Sequence, residues 1–217
     1  VIPISLGLET MGGIVEKIIH RNTSIPTTQS QTFTTFVDGQ TALTIHVVQG
    51  EREMVNDCRS LAKFTLRNIP PKPAGTAKIT VTFQVDADGL LTVTAEEETT
   101  STKQSVEVNP TFGLNEEEMI AHLESAMKHA QSDMRKRLLE EAKVESKRLI
   151  QALEKALSLD SCLLDAATLS QLQNATADLK TSLDTQDIDT IKPLCENLER
   201  LSHSFAEKRI AHAIRQS

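Results

Sequence analysis

The segment ITVTFQVDADGLLTVTA (79–95) decides the fold of the first half of the chain. Apolar residues occupy positions 79, 81, 83 and 85 and alternate with polar ones, which is the period of a half-buried strand. Asp88-Gly89 is typical of a tight hairpin turn, and the same alternation returns at 91, 93 and 95. The segment therefore predicts two antiparallel strands that share a buried face.

The same pattern extends outward through the first 110 residues. Leu43, Ile45 and Val47 alternate with their neighbours, Asp38-Gly39 supplies a second turn, and the Pro-rich stretch 70–75 reads as a loop. Short strands separated by turns at this spacing predict an antiparallel β-sandwich over about 1–112.

The period changes to that of a helix after Gly113. Asn115 and Glu118 form a capping-box pattern, and apolar residues follow at helical spacing to about 157. This length predicts either one long arm or two helices that meet at a bend. A second helix is predicted over 165–183, and a third from Asp189 or Thr190, with Pro193 in its first turn. The prediction is an α+β chain with segregated domains, in which a helical lid or bundle over 113–217 follows the sandwich.

Composition restricts the classes of partner. The net charge is -7, the pI is about 5.4, the mean hydropathy is -0.25, and no cluster of five Lys or Arg occurs. We therefore expect a soluble protein that binds neither nucleic acid nor membrane. The first residues lack the pattern of a signal peptide and an initiating Met, which suggests a fragment of a longer protein. Cys58, Cys162 and Cys195 are read as reduced, partly buried thiols.

No set of catalytic residues stands out, so we expect no enzymatic activity in this chain. The six His are scattered, and neither a nucleophile motif nor a Gly-rich phosphate loop is present. His46 alternates with strand residues and is interpreted as a sheet-face histidine. The run Glu96–Glu98 is interpreted as a solvated strand end.

Several motifs resemble those of one family, the DnaK-type seventy-kilodalton heat-shock chaperones. They are SLGLETMGG (5–13), NTSIPT (22–27), ALTIHVVQGER (42–52), the D-x-DG-x-L-x-V hairpin (86–93) and GLNEEE (113–118). TTFVDGQTA (34–42) and VTFQVDADGLL (81–91) are similar to the HscA branch of that family, which serves iron–sulfur cluster assembly.

The resemblance implies the substrate-binding half of such a chaperone, a sandwich that clasps an extended peptide beneath a helical lid. The chain would begin just after the linker to the ATPase domain, so ATP and Mg would belong to that missing domain. The implied partners are this nucleotide-binding domain, a J-domain cochaperone and the iron–sulfur scaffold protein, whose Leu-Pro-Pro-Val-Lys segment would be the ligand. The implied location is the bacterial cytoplasm.

The resemblance also implies the site residues. Five apolar residues would face the peptide channel, and two more would arch over the peptide backbone. Main-chain groups near the first turn, together with a Gln amide, would hydrogen-bond the ligand, and one ion pair would join lid to sandwich. The channel residues would be Leu8, Phe33, Leu43, Ile45 and Ile79, and the two arching residues would be Met11 and Phe36. The hydrogen bonds to the ligand would come from Glu9, Thr10, Met11 and Gln40, and the ion pair would join Arg52 to Asp133. From periodicity alone, Leu43, Ile45 and Ile79 are core residues.

Two alternatives stay open. One is a general DnaK-type domain that binds hydrophobic peptides broadly. The other is a β-sandwich hydrolase or carbohydrate binder, which the absence of Trp and Tyr disfavours because sugars stack on such rings.

Overall fold

The computed structural model describes residues 1–216, and within them eight strands precede three long helices. The strands are β1 (Leu6–Thr10), β2 (Ile14–Ile19), β3 (Thr27–Phe33), β4 (Leu43–Gln49), β5 (Arg59–Leu66), β6 (Ile79–Val85), β7 (Leu91–Glu97) and β8 (Lys103–Val108). The helices are α1 (Glu116–Asp160), α2 (Ala166–Ser182) and α3 (Ile188–Gln216). This order confirms the prediction of a strand half followed by a helical half.

The strands form two antiparallel sheets of four, ordered β2-β1-β4-β5 and β3-β6-β7-β8. The inward residues predicted for the β6–β7 hairpin, from Ile79 to Ala95, are all fully buried between the sheets. Asp86 closes this hairpin, because its Oδ1 accepts hydrogen bonds of 2.9 Å from the N–H groups of Asp88 and Leu90. The predicted antiparallel sandwich is confirmed.

The interpretation of Glu96–Glu98 as a solvated strand end is wrong for Glu97, whose side chain is fully buried. Its Oε2 accepts hydrogen bonds of 2.8 Å from both the N–H and the hydroxyl of Thr100. Burial acts to raise the pKa of Glu97, but these hydrogen bonds outweigh it and lower the pKa from 4.5 to about 2. Strand alternation explains the burial, since Glu97 follows Val93 and Ala95 on the inward face.

The chain forms two compact units, the first over Val1–Met134 and the second from Arg135 onward. The predicted division at 112/113 was placed where strands give way to helices. The first compact unit extends further, because it includes the first turns of α1 together with the sandwich.

The start of α1 has the predicted capping box: Glu118 N–H donates to Asn115 Oδ1 at 2.8 Å, and Asn115 N–H donates to Glu118 Oε2 at 3.0 Å. Of the two predicted alternatives, the single long helix is the one observed.

The second unit packs the apolar stripes of its helices into one core. Its buried members include Ile150, Leu153, Leu172, Leu179, Ile191, Leu198 and Phe205. Pro193 is the sixth residue of α3 rather than part of its first turn. The helix begins earlier than predicted because the carboxylate of Asp187 accepts from the N–H of Asp189 at 3.1 Å and from the hydroxyl of Thr190 at 2.7 Å.

Three further features bear on function. No helix within residues 1–216 combines the length and the apolar content needed to cross a bilayer. The same residues bring no three His, Cys, Asp or Glu side chains together as a metal site. All three cysteines are free thiols; Cys195 is buried and Cys58 half-buried, as expected, but Cys162 is exposed.

Candidate functional site

Strands β1 and β4 separate partway along their length. Their pairing joins Leu6–Leu8 to Val47–Gln49 and stops there. Beyond that point β1 continues to pair with β2 as far as Thr10, and β4 pairs with β5 from Leu43 onward. Each strand thus keeps only its outer neighbour, and we call this opening, between Glu9–Thr10 and Leu43–His46, the β1–β4 fork. Strand edges at such an opening offer N–H and C=O groups to an added strand.

The five residues predicted to face a channel all belong to the apolar core between the two sheets or pack against it. Leu8, Ile45 and Ile79 are 2%, 4% and 0% exposed and belong to the core itself. Phe33 and Leu43 pack against that core while remaining partly exposed, and Phe33 pairs with Ile79 across β3 and β6. The buried three provide an apolar floor, and the half-exposed two provide its rim.

The loop between β3 and β4, residues 34–42, is held by the side chain of Gln40. Its Oε1 accepts from the N–H groups of Phe36 at 3.0 Å and Val37 at 3.3 Å, and its Nε2 donates to the carbonyl of Ala42 at 2.8 Å. The family resemblance implies that this amide binds the ligand. In the structure its oxygen and one of its two N–H groups hold the loop, which leaves the second N–H for other acceptors.

A second loop, residues 70–75, braces the first. The N–H of Gly39 donates to the carbonyl of Lys72 at 2.9 Å, and the N–H of Ala74 donates to Asp38 Oδ1 at 2.7 Å. A third bond, of 2.9 Å, runs from the N–H of Gly75 to the carbonyl of Thr35. Gly39 and Gly75 both have positive φ, of 72° and 81°, so these bonds depend on backbone that glycine adopts without strain.

Two large apolar side chains lie on turns beside the fork. Met11 is 49% exposed in the turn between β1 and β2, where Gly12 and Gly13 also take positive φ. Phe36 is half-exposed in the loop that Gln40 holds. Neither residue belongs to the sandwich core. The exposed side chain of Met11 is therefore available to contact a ligand.

A polar network that the sequence analysis missed crosses the closed end of the fork. His46, on β4, has its Nδ1 2.8 Å from Glu9 Oε2 on β1 and its Nε2 2.7 Å from Ser60 Oγ on β5. His46 is thus a sheet-face histidine, as interpreted, but it also links three strands where the β1–β4 ladder stops. The alternation of Thr44 and His46 with buried residues was the available signal, yet it could not identify partners 37 and 14 residues away.

Arg52 and Asp133, which the resemblance paired, are joined by a bidentate ion pair. Arg52 Nε lies 2.5 Å from Asp133 Oδ2, and Nη2 lies 3.0 Å from Oδ1. Nη1 of the same guanidinium donates to Ser125 Oγ at 3.0 Å, and Asp57 lies 3.5 Å away. The Asp133 hydrogen bond raises the pKa of Arg52, and burial opposes this more weakly. These contacts attach the first part of α1 to the loop after β4.

Comparison with known proteins matches nearly the whole chain. Residues 1–211 match the family model described as "Hsp70 protein". A "Chaperone protein HscA homolog" of Shewanella oneidensis is 52% identical over 215 residues, which are 99% of this chain and 35% of that protein. The "Chaperone protein HscA" of Shigella boydii serotype 18 and that of Salmonella heidelberg are each 50% identical over 217 residues, 100% of this chain and 35% of each relative. The chain thus spans about a third of the length of the curated relatives it matches.

Proposed function

Because this chain belongs to the Hsp70 family, we propose that it is the substrate-binding part of an HscA-type chaperone and grips an extended peptide in the β1–β4 fork. The observation that carries this proposal is the end of the β1–β4 ladder at Leu8 and Val47. Past that pair, strand edges and an apolar floor occur together. An extended peptide needs both, since main-chain hydrogen bonds hold it and a pocket selects its side chain.

The geometry supports moderate affinity. One Leu or Val side chain that becomes buried against Phe33 and Leu43 contributes about 1.5–3 kcal/mol. Four to six main-chain hydrogen bonds contribute about 0.5–1.5 kcal/mol each, and ordering of the peptide offsets part of the sum. A micromolar dissociation constant, on the order of -8 kcal/mol, results.

The ligand that we propose is a Pro-containing segment similar to Leu-Pro-Pro-Val-Lys of an iron–sulfur scaffold protein. Met11 and Phe36 add apolar surface over the backbone of a peptide in the fork. A Pro-rich segment already has the extended polyproline conformation, so binding costs it less conformational entropy. The chain's net charge of -7 favours the ligand's Lys.

For the whole protein, we propose that ATP hydrolysis in a separate nucleotide-binding domain switches this module between weak and tight binding. ATP and Mg would bind that domain, and a J-domain cochaperone would deliver the scaffold protein in the bacterial cytoplasm. This is supported by the HscA relatives, which are bacterial chaperones about three times as long as this chain.

Fluorescence anisotropy with a labelled LPPVK peptide tests the site. Leu43→Asp places a charge at the rim of the apolar floor and should weaken binding at least 10-fold. Phe36→Ala should weaken binding several-fold. Val108→Asp and Phe112→Ala are matched controls, since Val108 packs on the same core from β8 and Phe112 is 77% exposed. Wild-type affinity in Leu43→Asp would refute the proposed pocket, and equal losses in Leu43→Asp and Val108→Asp would mean that the fold, not the pocket, was lost.

Competition separates a dedicated chaperone from a general one. If the module is specific, unlabelled LPPVK peptide should displace the probe at a concentration at least 10-fold lower than a Leu-rich peptide without Pro. Equal displacement would favour the general DnaK-type domain.

A serine hydrolase is the second candidate, because Ser60, His46 and Glu9 have the hydrogen-bond order of a Ser–His–acid relay. Against it, the three lie on the outward face of the sheet and the Glu9 side chain is 37% exposed, whereas such catalysis depends on a desolvated site with oxyanion donors. Hydrolysis of p-nitrophenyl acetate that disappears in Ser60→Ala would favour the hydrolase. Equal rates in the two proteins would exclude it.

A further inference from the structure

The β1–β4 fork begins at a contact between two side chains. The ladder ends at the pair Leu8 and Val47, so the next pair in the same register sets Glu9 opposite His46. This pair is joined through its side chains, since Nδ1 of His46 lies 2.8 Å from Oε2 of Glu9. We call this contact the Glu9–His46 bridge. It occupies the first position at which the backbones of β1 and β4 are no longer paired.

Strand β5 fixes the imidazole ring from its other side. Nε2 of His46 lies 2.7 Å from Oγ of Ser60. A β-bulge brings Ser60 to this place, because the β4–β5 register steps from Ala62 to Ser60 and skips Leu61. Both ring nitrogens are therefore engaged, and the side chain of His46 is only 14% exposed. A ring held in this way keeps a single orientation.

The two partners determine where the ring carries its protons. A carboxylate only accepts hydrogen bonds, so Nδ1 of the neutral ring donates to Glu9 and Nε2 accepts from the hydroxyl of Ser60. When the ring gains a second proton, Nε2 donates to Ser60 Oγ instead, and the contact with Glu9 becomes an ion pair. A hydrogen bond between two charged groups is about twice as strong as one between neutral groups. Protonation of His46 therefore strengthens the bridge and breaks neither contact.

The other charged groups around the ring oppose this effect only weakly. Lys63 is the cross-strand partner of the ring on β5, but its side chain is exposed and salt screens it. On β2, Lys17 is paired with Glu51 at 3.5 Å. In the segment after β4, Arg52 is engaged in its ion pair with α1. Glu9 is the charged group that contacts the ring directly, and it favours the protonated form.

The bridge lies one residue away from the groups that an extended peptide would use. Thr10, which follows Glu9, keeps only β2 as its neighbour and offers a free strand edge. Ile45, which precedes His46, is 4% exposed and forms part of the apolar floor. The bridge, rather than a backbone hydrogen bond, thus sets the spacing between edge and floor.

We propose that His46 is a positioning residue for the peptide site: it holds β1 to β4 at the closed end of the fork, and holds them more tightly when its ring is protonated. The effect on peptide affinity rests on the proposed function, whereas the hold on β1 can be measured without a ligand. A fork of fixed width costs a peptide less ordering on binding.

Hydrogen exchange of the 217-residue chain without peptide tests the hold on β1. An imidazole gains its proton as the pH falls from 8 to about 5.5. After division by the intrinsic rate at each pH, amides over 6–10 should exchange roughly 3–10-fold more slowly at pH 5.5 than at pH 8. His46→Ala removes the bridge and should exchange about 10–100-fold faster than wild type at pH 5.5.

A conservative variant separates the bridge from the general stability of the sheet. His46→Asn keeps an N–H donor in the place of Nδ1 but does not titrate. It should exchange within about 3-fold of wild type at pH 8 and lose the pH dependence. His20→Gln, at an exposed site, should keep the pH dependence of wild type. Corrected rates in wild type that do not change with pH, or a pH dependence that survives in His46→Asn, overturn the proposal.

Fluorescence anisotropy with the LPPVK probe tests the consequence for the site. The dissociation constant of wild type should be roughly 3-fold lower at pH 5.5 than at pH 8, and that of His46→Asn should be the same at both. Equal pH dependence of affinity in the two proteins would overturn the positioning role. A wild type that shows the expected exchange but binds no probe at either pH would support the hold on β1 and refute the peptide site itself.

Discussion

Replacement of Arg52 by Ala should release the first part of α1 from the sandwich loop. Asp133 is 2% exposed and its two carboxylate oxygens both accept from Arg52, whose side chain is 12% exposed. Loss of one partner from a buried ion pair costs about 3–5 kcal/mol, and here the Asp133 carboxylate loses the two hydrogen bonds that Arg52 donates to it. Water can enter the space left by the guanidinium, so we take the lower end, about 3 kcal/mol. At about 1.4 kcal/mol per factor of ten, the population of detached helix rises about 150-fold.

Hydrogen exchange measured by mass spectrometry reports this population directly. In Arg52→Ala, backbone amides over 120–134 should exchange about 150-fold faster than in wild type, while those of β6 keep their rates. Arg52→Lys retains the charge but not the bidentate geometry and should give an intermediate increase of about 10-fold. The double variant Arg52→Ala, Asp133→Ala should exchange more slowly than Arg52→Ala alone, because no buried charge remains.

Either of two results would contradict the role of Arg52 in holding α1. An increase of less than about 3-fold in Arg52→Ala would mean that the ion pair does not hold α1. Equal acceleration in β6 would mean that the substitution destabilises the whole sandwich rather than the attachment of the helix.

Other consequences concern acid stability, thiol reactivity and strand packing. Folding lowers the pKa of Glu97 from 4.5 to about 2, so the ionised carboxylate stabilises the folded protein fully above pH 4.5, and this contribution is lost as the pH falls toward 2. The free energy of unfolding of Glu97→Gln, measured in urea, should lack this part of the pH dependence. Burial raises the pKa of Cys58 to about 11, so iodoacetamide at pH 8 should label exposed Cys162 at least roughly 100-fold faster, as peptide mapping would reveal; equal labelling would contradict this. Gly7→Ala sets a Cβ 2.5 Å from a carbonyl oxygen of β2 and should cost about 1–3 kcal/mol in thermal unfolding; an unchanged Tm would show that the strands can separate there.

Local patterns were sufficient for most of the secondary structure. The β6–β7 hairpin follows from a strict two-residue period with Asp88-Gly89 between its halves, and the start of α1 follows from Asn115 and Glu118. Both signals act within a few residues of chain, where backbone geometry and side-chain hydrogen bonds dominate. The start of α3 was placed too late because Asp187, the residue that caps it, was not recognised as a cap.

Local patterns could not predict those features of the candidate site that depend on contacts between residues far apart in the sequence. Glu97 is the middle of three consecutive Glu residues. Only its position on the inward face of β7 distinguishes its buried side chain from those of Glu96 and Glu98. Gln40 reads as an ordinary turn residue until the loop closes around its amide. The link from His46 to Glu9 and Ser60 requires three strands to be neighbours in one sheet.

By itself, then, the sequence determined the two classes of structure, their order and the family, because alternation, capping and recurrent motifs are written in adjacent residues. Only the tertiary structure decided where the β1–β4 ladder stops and which face of α1 turns outward. Both depend on contacts between segments tens of residues apart, such as Leu8 with Val47 and Arg52 with Asp133. Packing in three dimensions selects those contacts, and no local period encodes them.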